Sequence, residues 1–260
     1  MLGLAVTIAI IATSLRPIPQ PLSYHHFADR RSFLGVRNFG DVASNVAFAV
    51  VGFWGLAFVI GSGRERLRLC FVDYRECIPY LFVFFGLLLT AFGSAYYHLA
   101  PDNTRLVWDR LPMTIVFAGL VSAVVCERVN VTAGLTVLPL LLLVGIASVV
   151  QWHYSELQGH GDLRFYAAVQ LYSALVLVIA LLTPAQYSRR LDFGVVAGFY
   201  VLAKIFETAD RPIFEFVHIV SGHTLKHLAA GMAGYWILRM LQLRRPAENS
   251  KLHAAASSGE

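Results

Sequence analysis

The feature that most constrains this chain is a succession of apolar stretches, most of about 20 residues, separated by short polar loops. A short stretch covers residues 2–15, and seven longer ones lie near 38–61, 78–99, 106–126, 131–150, 164–184, 191–209 and 218–242. Such a length crosses the hydrocarbon core of a bilayer as a helix, whereas a barrel would need alternating segments of about 10 residues. Composition agrees: 57% of the 260 residues are hydrophobic and 14% charged. A soluble domain carries roughly 25% charged residues. The expected fold is an all-α membrane protein, a seven-transmembrane helix bundle with an extra N-terminal helix.

The chain divides into an N-terminal apolar helix (1–16), an extramembrane linker (17–37), the seven-helix membrane domain (38–243) and a disordered cytoplasmic tail (244–260). The start, MLGLAVTIAI, has no Lys or Arg before its apolar run and no clear small-residue cleavage site, so a retained helix is favoured over a signal peptide. Pro17, Pro19 and Pro21 keep the start of the linker out of a helix. The net charge of +5 does not indicate nucleic acid, because the arginines flank apolar spans, where they set topology. Counted by side, 11 cations share the face of the C-terminus and 8 lie opposite, which places the C-terminus in the cytoplasm. Cys70, Cys77 and Cys126 show no C-x-x-C spacing and suggest neither a disulfide framework nor a thiolate metal site.

Histidine is costly in a bilayer unless it is paired or bound, so its distribution is informative. Eight of the nine fall on one side: His25 and His26 in the linker, His98 ending the second core helix, His153 and His160 around the next loop on that face, and His218, His223 and His227 opening the last helix. His223-Thr-Leu-Lys-His227 is an i,i+4 pair, so both imidazoles share a helix face and can address one ion, as in the HExxH helix. His98 is the natural third ligand at similar depth, in Ser94-Ala-Tyr-Tyr-His98, and Asp109 lands one turn into the next helix at that level. Each piece alone has a plainer reading. An HxxxH pair also suits packing, haem or a proton relay, and Ser94 alone suits a helix interface.

The run Gly93-Ser94-Ala95-Tyr96-Tyr97-His98, then Asp109-Arg110-Leu111-Pro112-Met113, then His223-Thr224-Leu225-Lys226-His227, resembles the alkaline ceramidase family and its superfamily, which includes adiponectin-receptor-like proteins. Asn38 to Asn45 is similar to that family's first-helix signature, and the likeness spans about residues 38 to 240. The resemblance implies seven transmembrane helices and Zn²⁺ bound by His98, His223 and His227. It also implies Ser94 and Asp109 as catalytic partners, with hydrolysis of the amide bond of a membrane lipid, an N-acyl sphingolipid; the cation count places that site towards the non-cytoplasmic face. The acyl chain is expected among Phe82, Phe84, Phe85, Phe92 and Phe117.

The chain departs from that family before the first core helix. Asp29, Asn38 and Asp41 are the candidate calcium residues, fewer oxygen donors than hard Ca²⁺ requires, so calcium is the weaker expectation. Lys226, inside HxxxH, is expected to meet a substrate head group or Asp210, or simply to snorkel. Lys204, Glu207 and Asp210, at i, i+3 and i+6, form a polar stripe that either supports the ligand histidines or is a structural ion-pair ladder. Two other classes fit the same spans: a non-enzymatic receptor or sensor with structural zinc, and a redox or transport protein. The lack of a second HxxxH pair weighs against the last.

Overall fold

A computed structural model describes residues 1–247, which form helices and no strand. The helices are α1 (Leu2–Ser14), α2 (Phe39–Ala43), α3 (Val46–Gly61), α4 (Arg64–Cys70), α5 (Cys77–Leu99), α6 (Asn103–Arg128), α7 (Val131–Leu157), α8 (Arg164–Leu182), α9 (Asp192–Thr208), α10 (Asp210–Val217) and α11 (Gly222–Leu243). Five segments are long and apolar enough to cross a membrane: Phe39–Gly61, Tyr74–Leu99, Asn103–Arg128, Val131–Leu157 and Arg164–Leu182. The protein is an all-α membrane protein. α9 has only 17 residues, and α11 is diluted by two histidines and Lys226.

Six helices close a ring. α3 packs on α5, α5 on α6, α6 on α8, α8 on α9, α9 on α11, and α11 back on α3. α7 lies outside the ring against α6 and α8, and α1 leans on α8. Glycines set the closest approaches. At Gly93 an added Cβ would lie 1.9 Å from the Trp108 carbonyl oxygen of α6. Pro112, four residues on, has no N–H to bond that carbonyl, so the oxygen is left free on the flank where α5 comes nearest. At Gly222 an added Cβ would lie 2.3 Å from the Phe206 carbonyl oxygen, which brings the start of α11 against the α9–α10 junction.

Several expected boundaries move. The span 38–61 is interrupted at Ser44 and Asn45, between α2 and α3. α4 and α10 are short extra helices. Asp210 opens α10 instead of extending α9, because the chain turns at Ala209, and His218 lies between α10 and α11 with φ +59°. The tail expected to be disordered from 244 instead starts as a fixed segment, since a buried guanidinium must be neutralised. Arg244 pairs with buried Glu127 and stacks on Tyr187, 4.1 Å from the ring centroid. The backbone at Arg245 and Ala247 bonds to Ser188 and Gln186. Residues 248–260, the rest of that tail, lie outside the described residues.

The contact at Gly93 makes a direct prediction. Gly93→Ala forces a methyl group onto a backbone carbonyl and costs about 1–3 kcal/mol of stability. Gly198→Ala, with nothing within 4 Å of its added Cβ, should leave stability unchanged or slightly raised. Thermal melting of the two detergent-solubilised variants against wild type checks this.

Candidate metal centre

α5 and α11 meet end to end in depth, so the last turn of one faces the first turns of the other. There His98, His223 and His227, all buried, bring one ring nitrogen each within 4.8 Å of the others. Their ring centroids lie 4.7 to 5.0 Å apart. His98 Nδ1 and His223 Nε2 are buried without a hydrogen-bond partner. Buried imidazole nitrogens are normally satisfied, so two without a partner in one group of three histidines fit residues that could hold a metal ion. Three neutral nitrogen donors fit a divalent transition metal.

Each ligand is braced. The Ser44 hydroxyl donates to the Asp41 carbonyl (3.0 Å), and so, having one proton, must accept from His227 Nδ1 (2.8 Å). The Nε2 lone pair of His227 is thereby left for the cluster. Asp210 Oδ1 accepts from the His223 backbone N–H (2.8 Å), and Ser221 caps the same helix by accepting from Thr224 N–H (2.9 Å). Asn38 Nδ2 donates to the His98 carbonyl (2.8 Å). Phe27, from the linker, packs its ring 4.6 Å from His98 and 4.5 Å from His223, covering the cluster.

His227 also lines a cavity of about 290 Å³, the lumen of the helix ring, together with Ser94 and Asp109. The lining residues from His227 to Ile237 on α11, Asp109 to Leu120 on α6 and Glu207 back to Val196 on α9 span about 15–17 Å along each helix. The lower part is apolar, with Leu120, Leu177 and Ile237. Ser94 and Asp109 are adjacent to Gly93 and Trp108, so the glycine contact between α5 and α6 is what sets them side by side.

The polar stripe resolves into two jobs. Glu207 accepts from Lys204 Nζ (2.7 Å), Lys226 Nζ (2.6 Å) and the Tyr24 hydroxyl (3.2 Å) at the upper rim of the cavity. Lys226 thus meets Glu207 and not Asp210, which is occupied by the backbone N–H groups of His223 and Ala28. The three calcium candidates do not form a ligand set among the described residues. Asp29 pairs with Arg31 (2.8 Å), Asn38 acts as a donor, and Asp41 Oδ1 accepts from Ser221 and Thr224. Burial alone would raise the Asp29 carboxyl, but its Arg31 bonds hold it below the usual range.

Other expectations shift too. His25 donates from Nε2 to Asn103 Oδ1 (2.9 Å) and accepts from the Tyr97 hydroxyl (2.9 Å), so both nitrogens are used away from the cluster. Of the five phenylalanines proposed for an acyl path, Phe117 lines the cavity, whereas Phe84 fills the core and Phe85 and Phe92 are exposed on the outer face of α5. Phe27 and Tyr24 enter the site from a linker whose spacing carries no motif, and Ser44 from the stretch Asn38 to Asn45, within which nothing singles it out.

Fold and site together define an all-helical membrane protein with a buried three-histidine group able to hold a metal ion. Comparison with protein-family models gives no match, and comparison with curated proteins gives none either.

The bracing predicts metal behaviour. Purified protein should carry about one transition-metal ion per chain by elemental analysis, and His223→Ala or His227→Ala should lose it. Ser44→Ala should weaken the metal by about 10–100-fold in chelator competition, because His227 loses its orienting partner.

Proposed function

We propose that the protein is a zinc-dependent hydrolase of the alkaline ceramidase type, cleaving the amide bond of an N-acyl sphingolipid within the membrane. The observation that carries this reading is that the three-histidine cluster opens, through His227, into an apolar cavity shared with a carboxylate and a hydroxyl. In this reading the seven spans are α2–α3, α5, α6, α7, α8, α9 and α11. The cation excess puts the C-terminus in the cytoplasm and the site towards the opposite face.

His98, His223 and His227 would hold the zinc, which supplies Lewis-acid polarisation of a carbonyl and a water of lowered pKa. Asp109 accepts the proton of the attacking water on its carboxylate and delivers it to the departing amine nitrogen. The Ser94 hydroxyl donates to the oxygen on which negative charge develops. The acyl chain lies along Leu120, Leu177 and Ile237, and Phe27 and Tyr24 cover the top and exclude bulk water. Calcium has no part in this scheme, since Asp29 is paired with Arg31, Asn38 turns its amide N–H to the His98 carbonyl and Asp41 Oδ1 accepts from Ser221 and Thr224.

Asp109→Asn should lower kcat by about 10²–10⁴-fold and Ser94→Ala by about 10²–10³-fold, both with metal retained. Product mass spectrometry on N-acyl sphingoid substrates, with purified metal-replete protein in lipid, checks this. Metal retained in a protein that cleaves no amide or ester lipid is the outcome expected of a non-enzymatic receptor or sensor.

A further inference from the structure

We propose that Arg110 forms an oxyanion subsite at the head of the cavity, built to hold a carboxylate carried by an acyl lipid. The inference rests on the reading of the cavity as an acyl-lipid site, and it adds a charge preference that a neutral ceramide would not use.

Arg110 lies one residue after Asp109, lines the cavity and is only 5% exposed. A buried guanidinium at membrane depth is costly unless its charge and its N–H groups are met. Here the flat faces are met. The guanidinium carbon sits 4.1 Å from the Trp152 ring centroid, 4.8 Å from that of Tyr166 and 5.8 Å from that of Tyr24. In the guanidinium plane, Nη2 donates to Gln20 Oε1 (2.5 Å), a neutral acceptor, while Nη1 is buried with no partner.

The nearby carboxylates do not supply what is missing. Glu156 accepts from the Gln20 backbone N–H and from Trp152 Nε1, and Glu207 is shared by Lys204 and Lys226. Asp109 makes no ion pair among the described residues. The residues that line the cavity head include three cations, Arg110, Lys204 and Lys226, and two carboxylates, Asp109 and Glu207, while Glu156 sits behind Gln20 and Trp152 and does not line it. Aromatic rings clamp the fork in one orientation and leave Nη1 without an acceptor, and a fork held in this way suits a planar oxyanion. Below it the lumen is apolar, so the ligand that satisfies both ends has an oxyanion on a hydrocarbon chain.

Two sources share that chemistry: an acidic head group on the substrate, or the carboxylate of a released fatty acid. Full-length protein in detergent is titrated with dodecanoic acid and with dodecanol. Wild type should bind the acid at least about tenfold more tightly, the scale of one charge-assisted hydrogen bond. Arg110→Gln should erase that difference, and Arg110→Lys, which keeps the charge but loses the fork, should retain only part of it. Equal binding of acid and alcohol by wild type, or an acid preference undiminished in both variants, would overturn the proposal. If Arg110→Gln does not fold, wild type and Arg110→Lys decide.

Hydrolysis of N-dodecanoylglycine against N-dodecanoylglycinamide then separates the sources. A wild-type kcat/KM preference for the acid that disappears with Arg110 assigns the subsite to the substrate head group. Indifferent hydrolysis with intact acid binding assigns it to the product. Arg110-dependent acid binding in a protein that hydrolyses neither compound, nor any sphingoid amide, sustains the subsite and removes the hydrolase.

Discussion

The approach of α5 to α6 at Gly93 and Trp108 is the contact on which the rest of the site depends. A glycine without a Cβ lets one helix rest on the carbonyl that a proline has freed in the other. That single contact puts Ser94 beside Asp109 and fixes the height of the end of α5. The height of His98 follows, one turn beyond Ser94. α11 arrives at the same level through a second glycine, Gly222, which seats its first turn on the junction of α9 and α10. Three imidazoles from two helices share a point because two backbone contacts agree in depth.

An apolar body makes each polar group expensive, and the molecule answers by giving most of them a task. Ser44 sets the tautomer of His227, Asp210 holds the backbone of His223, and Asn38 ties the carbonyl of His98. Glu207 gathers two lysines and a tyrosine at the rim of the lumen. Among the buried side-chain atoms left without a partner are His98 Nδ1 and His223 Nε2, in the histidine cluster, and Arg110 Nη1, on a residue that lines the cavity into which that cluster opens through His227. The linker, with Phe27 over the imidazoles, turns that end into a space screened from bulk water.

Much of this is legible in the sequence, for identifiable reasons. Long apolar runs reveal the helices because bilayer thickness fixes their length. The i,i+4 spacing of His223 and His227 fixes a shared face whatever the surroundings, and His98 is found by topological depth alone. Ser44 escapes because the stretch Asn38 to Asn45 is read as a whole, and only the turn at Ser44 and Asn45 aims that one hydroxyl at His227. Phe27 escapes because it sits in a proline-rich linker with no periodicity. Arg110 and Arg244 look like loop cations from their position near helix ends, and only tertiary packing on aromatic rings and on Glu127 takes them inside. Lys226 is expected at a substrate head group or Asp210, or snorkelling, but the turn at Ala209 directs Asp210 to the backbone of α11 and the lysine meets Glu207 instead.

If His98, His223 and His227 form a zinc centre in the membrane, the metal's own spectrum must carry their signature. Zinc-edge X-ray absorption on the purified protein tests it most directly. A zinc centre on these residues gives a low-coordinate, imidazole-dominated shell with three nitrogen ligands and lighter oxygen scattering, lost in His227→Ala. Absence of bound zinc, a sulfur-containing shell, or a spectrum unchanged by His227→Ala would contradict it.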